Sequence, residues 1–345
     1  MTKTDLKDLT LEKLTAFVAS LGAPPFRAKQ IFAWLYRPGI TDFGQMTDLN
    51  KEFRAQLAER CAISILHPEV REVSQDGTVK YGFRLADGLL IEAVLIPEEE
   101  RNTLCVSTQV GCAMGCRFCL TGTMGFKRNL RPAEIVGQVT TAMADMTASG
   151  MAGRLTNLVF MGMGEPLANF DNLLDALSIL QDPHGLDFSS RRITVSTCGL
   201  VPRLAELGEK TEVNLAVSLH AANDTVRSAL MPVNDTYDLE QLLRACREYP
   251  LAKRRRIMIE YTLFEGINDS DQDARELARK LHGVRCKINL LSFNPCPALP
   301  FRSPPRERIE AFQNILHQAG YSVFIRASRG GDISAACGQL AGKAD

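Results

Sequence analysis

From about residue 103 onward the chain alternates short apolar runs with amphipathic helical stretches, and this alternation narrows the possible folds more than any other feature. The apolar runs fall at 104–108, 157–161, 192–197, 212–219, 256–263, 287–293 and 322–326. The helical stretches fall at 132–148, 170–180, 202–208, 238–249, 270–282 and 305–319. Strands separated by helices of this length need right-handed crossovers and pair in parallel. The expected architecture is α/β, with a parallel sheet that is either open or curled into a partial barrel. In such sheets the functional groups collect on the loops after the strands' C-terminal ends.

Two smaller units precede the alternation. Residues 1–65 read as helical, with an apolar stripe at Leu11, Leu14, Phe17, Val18 and Leu21, a break at Gly22-Ala23-Pro24-Pro25, and two more helices at 27–36 and 50–61. Residues 66–98 read as antiparallel strands at 69–72, 79–85 and 89–96, parted by the turns Gln75-Asp76-Gly77 and Ala86-Asp87-Gly88. The barrel is expected over 99–331 and a glycine-rich tail over 332–345. No internal repeat or low-complexity linker interrupts the chain.

Composition excludes several classes. No apolar run approaches the roughly 18 residues of a membrane span, and the start, Met1 to Leu6, lacks an apolar signal core. Ten cysteines in 345 residues are too few for a secreted disulfide scaffold; a reducing cytoplasm is expected. The net charge of +0 argues against coating nucleic acid by bulk electrostatics. Local basic patches exist at Arg27, Lys29 and Arg37 beside Phe26, Trp34 and Tyr36, at Lys127-Arg128, and at Lys253 to Arg256. The first of these reads either as a solvated face over an aromatic core or as an RNA-contacting module.

The loop Gln109-Val110-Gly111-Cys112-Ala113-Met114-Gly115-Cys116-Arg117-Phe118-Cys119 carries three cysteines at C-x3-C-x2-C spacing, with glycines that let it curl. Three thiolates can hold three corners of an iron–sulfur cube, and a missing fourth leaves one iron open to chemistry. Structural zinc usually takes two spaced C-x2-C pairs, and no second pair exists here. A chance grouping of buried thiols is the remaining alternative.

Polar residues recur where strands end: Gly164 and Glu165 in Met161-Gly162-Met163-Gly164-Glu165-Pro166, then Ser196, Ser218 with His220, and Asn294. Singly each is an ordinary turn or cap residue; together they could hold an ammonium, a carboxylate, a ribose or an adenine. Cys61, Cys198, Cys246, Cys286 and Cys296 read as buried apolar residues. Nothing in composition alone marks out Cys105 or Cys337.

Taken together, Phe26-Arg27-Ala28-Lys29-Gln30-Ile31, Leu90-Ile91-Glu92, the cluster loop, Met161 to Pro166, Ser218-Leu219-His220 and Asp332 to Leu340 resemble the RlmN/Cfr family, radical S-adenosylmethionine (SAM) enzymes that methylate adenine carbons in RNA. The cluster spacing is shared by the whole superfamily; the tail cysteine in Ala335-Ala336-Cys337-Gly338-Gln339-Leu340 is far more specific. The pattern lies nearer the RlmN branch, which modifies C-2, than the Cfr branch, which modifies C-8.

The resemblance implies a partial (β/α)6 radical SAM barrel, a [4Fe-4S] cluster on Cys112, Cys116 and Cys119, and SAM contacts at Gly164, Glu165, Ser196, Ser218, Leu219, His220 and Asn294. It implies 23S rRNA and tRNA as substrates, with a low-potential electron donor such as flavodoxin and a monomeric protein. Adenine C-2 lies between two ring nitrogens and is too electron-poor to attack a sulfonium methyl, which is why radical chemistry is needed. In the family, the residue matching Cys337 first takes a methyl from one SAM. A radical made from a second SAM takes hydrogen from that methyl, and the carbon adds to the base. The thiol matching Cys105 then resolves the adduct through a transient disulfide with Cys337; Glu92 matches a proposed acceptor of the C-2 proton, a role for which Cys105 competes. Competing readings are another radical SAM enzyme such as a glycyl-radical activase, which needs neither Cys105 nor Cys337, and a non-enzymatic iron–sulfur or zinc protein that binds RNA.

Overall fold

The computed structural model describes residues 3–341. Met1, Thr2 and the last four residues of the 332–345 tail lie outside the described residues. A short parallel pair, β1 (Thr4–Asp5) with β2 (Cys61–Ala62), ties off three helices, α1 (Leu11–Ser20), α2 (Phe26–Leu35) and α3 (Lys51–Arg60). Side-chain caps start two of them: Thr10 accepts from Lys13 N, and Asn50 from Phe53 N. The helical module shares its apolar core with the rest of the chain. A Cβ at Gly185 would meet Phe32 at 2.8 Å, and Asp8 accepts from Ala133 N at 3.0 Å.

An antiparallel meander follows, β3 (Pro68–Val73), β4 (Val79–Arg84), β5 (Leu90–Glu98) and β6 (Arg101–Cys105). It is not a separate sheet. β6 pairs antiparallel with β5 on one side and parallel with β9 on the other, so the meander and the barrel are continuous. Between β6 and β9 the chain makes a hairpin of β7 (Gln109–Gly111) and β8 (Phe126–Asn129), which encloses the one-turn helix α4 (Leu120–Thr123), and then α5 (Pro132–Ala148).

β9 (Leu155–Phe160), α6 (Phe170–Gln181), β10 (Ile193–Thr197), α7 (Val201–Lys210), β11 (Asn214–Ser218), α8 (Asp224–Leu230), α9 (Leu239–Glu248), β12 (Ile257–Leu263), α10 (Asp271–Lys280), β13 (Cys286–Ser292), α11 (Arg306–Gln318) and β14 (Val323–Arg326) complete the chain. The sheet order is β14-β13-β12-β11-β10-β9-β6-β5-β4-β3. Leaving aside the β7–β8 hairpin, which is a sheet of its own, β9 adds in parallel to β6 and each strand from β10 to β14 adds in parallel to the one before it, as in a (β/α) barrel that stops before closing. The register sets Leu158 between Leu104 and Ile193, all wholly buried. The strands' C-terminal ends therefore share one rim.

The residues just after β6 are fixed from below by a helix. Gln138 of α5 is wholly buried; its Oε1 accepts from Ser107 N at 2.9 Å and its Nε2 donates to Ser107 O at 3.0 Å. Ser107 Oγ in turn accepts from Met163 N at 2.7 Å, which links the first two strand ends. Gln138→Leu leaves the Ser107 amide and carbonyl unpaired in the interior and should lower stability by about 2–4 kcal/mol. Urea denaturation should show a lower midpoint at an unchanged slope.

Candidate active site

The three-cysteine loop runs from β7 to α4. Gly111 has φ 71°, and a Cβ there would lie 1.8 Å from Gly125 O, so no other residue permits this turn. Cys112 N donates to Gly125 O at 3.1 Å, Cys119 N to Cys116 O at 3.2 Å, and Arg117 N to Leu230 O at 3.0 Å, which moors the loop on the end of α8. All three cysteines line one cavity at the barrel rim, with about 1050 Å³ between its walls counted out to the open mouth. Burial pushes each thiol up, Cys112 to about 12, and the charges of its neighbours push Cys112 and Cys116 further.

These residues fit an iron–sulfur cluster. Thiols this desolvated stay protonated unless a cationic centre takes them as thiolates. Among the described residues no three His, Cys, Asp or Glu side chains converge as a single ion would require. A cube gives each thiolate its own iron and so holds them apart, whereas zinc draws every ligand to about 2.3 Å from one point.

The strand ends supply polar groups to the same cavity. At Gly164 (φ 98°) a Cβ would meet Gln109 at 2.5 Å. Glu165 is buried, with one carboxylate oxygen accepting from Cys198 N at 2.8 Å and the other from Leu167 N at 3.1 Å. Burial raises its pKa despite these bonds. Ser196, Ser218, His220 and Asn294 also line the cavity. Leu219 does not: its side chain is in the core and its N–H donates to Glu260 O at 3.0 Å. His220 holds a left-handed backbone (φ 56°), and its Nδ1 accepts from Thr262 N at 2.9 Å. The ring proton therefore sits on Nε2. Burial, aided by Arg227, pushes its pKa down to about 3, so it is neutral.

The tail lies across the gap in the barrel. Leu120 N donates to Gly338 O at 2.8 Å, Thr121 Oγ1 to Leu340 O at 2.6 Å, Asn294 Nδ2 to Cys337 O at 3.0 Å and Gln339 Nε2 to Pro295 O at 3.0 Å. Lys80 Nζ donates to Ile333 O at 2.7 Å, and Glu92 Oε2 accepts from Ala341 N at 2.8 Å. Cys337 is exposed to solvent through the cavity mouth yet closely surrounded by protein. That desolvation, with the Glu260 and Cys119 charges, raises its thiol to about 11. Cys105 is buried at the end of β6, close enough that the Cys337 charge adds to the effect of burial in raising its pKa. Both are free thiols here and both line a second cavity. Glu92 is placed differently: buried on β5, it lines neither cavity, and its carboxylate accepts from Ala341 N in the tail at 2.8 Å and lies 3.9 Å from Lys80 Nζ.

Several site residues were not singled out from the sequence. Glu260 lines the first cavity, accepts from Asn289 Nδ2 at 2.8 Å, and is pushed up to about 7 by burial. Its signal was a lone carboxylate in the apolar run Ile257-Met258-Ile259-Glu260-Tyr261. Arg227 is buried on α8 and donates to Cys198 O at 2.7 Å, Leu219 O at 3.2 Å and Asn234 Oδ1 at 2.9 Å, binding two strand ends together. Of the basic patches, Arg128 is committed internally, bidentate to Glu134 and paired with Asp87.

An iron–sulfur loop at the rim of an incomplete parallel barrel defines a radical SAM enzyme, and residues 106–278 match the model of the Radical SAM superfamily. Residues 4–63 match the Ribosomal RNA large subunit methyltransferase N-terminal domain. The protein named dual-specificity RNA methyltransferase RlmN from Desulfotalea psychrophila is 58% identical over 344 residues, covering 98% of this chain and 95% of that one. Its namesake from Geobacter sulfurreducens is 53% identical, covering 100% and 94%. The crystal structure of a radical SAM methyltransferase from Sphaerobacter thermophilus superposes with a TM-score of 0.92 at 48% identity, covering 99% of this chain and 100% of that one. This chain belongs to the RlmN family, whose members use a [4Fe-4S] cluster and SAM. Among the described residues no helix is long and apolar enough to cross a membrane.

The buried neutral histidine has a thermodynamic consequence. Between about pH 6.5, the unfolded value, and about 3, the unfolded chain binds a proton at His220 that the folded chain refuses. Stability from this group is full above about 6.5 and falls as pH is lowered. Urea midpoints measured from pH 7 to 5 should drop more steeply for the wild type than for His220→Asn, which tolerates the left-handed backbone; equal slopes would refute the assignment.

Proposed function

We propose that this protein is an RNA methyltransferase that adds a methyl group to C-2 of an adenine in 23S rRNA and of an adenine in tRNA, with Cys337 as the methyl carrier and two SAM consumed per turnover. The observation that carries the reading is the place of Cys337, shared by the walls of two cavities. One of these holds the three-cysteine loop, the other Cys105. The relatives' shared name, with its dual specificity, supports two RNA substrates and favours C-2 over the C-8 alternative.

In this scheme Cys112, Cys116 and Cys119 hold the cluster, while Gly164, Glu165, Ser196, Ser218, the Leu219 backbone, His220 and Asn294 hold SAM. Bound there, the cluster and SAM together supply one-electron cleavage chemistry. Glu165 offers carboxylate lone pairs to an ammonium, and neutral His220 offers an Nε2–H donor. The Cys337 thiol loses its proton and takes the methyl, a step that suits sulfur's nucleophilicity. Once the carrier carbon is joined to the base, the Cys105 thiolate attacks the Cys337 sulfur. The sulfur–carbon bond breaks with its electron pair on the carbon, which takes up a proton to become the methyl group. The Cys105–Cys337 disulfide is left to be reduced by a thiol before the next turnover. The C-2 proton goes to Glu92, held at the base of the tail by Ala341 N, or to Cys105, which lines the second cavity and competes for that role. The remaining parts are the helical module over 1–65 as an RNA-contacting unit, a low-potential donor such as flavodoxin, and a monomeric cytoplasmic protein.

Cys337→Ala tests the reading. After anaerobic incubation with SAM, intact-protein mass spectrometry should show no methyl added to the variant, and methylation of an rRNA transcript should fall at least about a hundredfold, in line with removal of a covalent carrier. A variant that methylates RNA at near the wild-type rate would overturn it.

A further inference from the structure

Glu260 is a buried carboxylate that no step of the proposed chemistry uses. It sits on β12, opposite Ser218 of β11 on one side and Asn289 of β13 on the other. Its side chain lines the first cavity, which Cys337 also lines, yet only 7% of the residue is exposed. One carboxylate oxygen, Oε1, accepts from Asn289 Nδ2 at 2.8 Å. Asn289 Oδ1 accepts in turn from Arg326 Nε at 3.1 Å, which fixes the amide's orientation. The other oxygen, Oε2, has no hydrogen-bond partner among the described residues and is not closed off from the cavity. The charged and titratable groups around the carboxylate are Lys287 of β13, Arg326 of β14 and the Cys337 thiol of the tail; Ser218 of β11 carries no charge. The Glu260 charge acts on the Cys337 thiol more strongly than that of Cys119 does.

Loading Cys337 with a methyl group needs somewhere to put a proton, because the sulfur attacks as a thiolate. The thiol is held up at about 11, so the thiolate is scarce at neutral pH. The other titratable groups of the first cavity are unsuited to take that proton. Cys112, Cys116 and Cys119 are taken up by the cluster in the function proposed above. Glu165 has both oxygens engaged, with Cys198 N and Leu167 N. His220 has its Nδ1 lone pair on Thr262 N and its proton on Nε2. Burial pushes the Cys198 thiol far up. Glu92 does not line this cavity. Glu260 has an oxygen to spare, and burial sets its carboxyl at about 7, near the value at which a general base works best in neutral solution.

We infer that Glu260 is the general base that takes the Cys337 proton when the carrier is loaded. This rests on the function proposed above and adds a residue to it. The Cys337 S–H bond breaks and its proton goes to Glu260 Oε2, directly or through one water. The freed sulfur pair forms the bond to the methyl carbon. The sulfonium–methyl bond breaks with its pair left on the cofactor sulfur, giving S-adenosylhomocysteine, and no oxidant or reductant is consumed. The proton then leaves to solvent through the cavity mouth, which restores the carboxylate for the next turnover. Asn289 is a positioning residue: by holding Oε1 it leaves Oε2 to the cavity.

The test uses the full chain with its cluster and with Cys337 unmethylated, as shown by intact mass. Two rates are read without RNA from about pH 6 to about pH 10: methyl addition at saturating SAM, and alkylation of Cys337 by iodoacetamide, followed by peptide mass spectrometry. For Glu260→Gln, loading at pH 7 should fall at least about a hundredfold per cluster. Alkylation should titrate at lower pH, because a negative charge near the thiol is gone. The two responses are opposed: a residue that acted only through its charge would speed loading when removed. Glu260→Asp, which keeps a carboxylate, should regain part of the rate. The wild-type loading rate should level off above about pH 7, while that of Glu260→Gln goes on rising with the thiol's own titration. Unchanged or faster loading in Glu260→Gln would overturn the inference, as would an alkylation profile that does not move. So would a loss confined to the KM for SAM, which would make Glu260 a cofactor contact. A wild-type rate that climbs without levelling overturns it with no variant at all. A wild-type protein that takes no methyl at Cys337 would instead sink the proposed function itself.

Discussion

Three thiols on one desolvated loop cannot all ionise unless cations hold them, and much of the structure's rim serves to keep them in that position. Gly111 turns where a side chain would collide with Gly125 O, and α8 anchors the loop through Leu230 O. The meander delivers β6, and the Ser107–Gln138 pairing fixes the chain where it enters the loop. A cluster bound there would turn a costly burial into coordination, with three protein ligands and one position left over.

The unclosed barrel is the second organising fact. β14 and β6 do not pair, and the tail that bears Cys337 lies across the gap, bonded to α4 and to the segment after β13. Lys80 and Glu92, on neighbouring strands of the meander, touch the tail at Ile333 and Ala341, four residues to either side of Cys337. The antiparallel unit thus extends the sheet and also supports the tail on both sides of Cys337. Cys337 stands where the cavity of the three-cysteine loop and the cavity of Cys105 share a wall, an arrangement that suits the carrier role proposed for it.

The alternation of strands and helices was legible because each element is long enough to show its period; Pro132–Ala148 is bounded by a proline start that sequence alone reveals. The hairpin of β7 and β8, the one-turn α4 and the seven-residue α8 escaped because such short pieces have no measurable period. Cys112, Cys116 and Cys119 were legible because a glycine-bracketed spacing is local. Arg227, Asn289 and Lys80 were not, because their roles come from contacts across the barrel that no local pattern records. In the basic pair Lys127-Arg128 the sequence does not show that Arg128 is engaged inside the protein, with Glu134 and Asp87.

The claim on which all of this depends is that the three-cysteine loop holds a [4Fe-4S] cluster with one iron not bound by the protein. Mössbauer spectroscopy of anaerobically reconstituted, iron-57-labelled protein, recorded with and without SAM, measures it directly. The account expects about four irons per chain, with the parameters of a single iron shifting when SAM is added. Four irons that respond alike, or a site filled by one zinc ion, would contradict it.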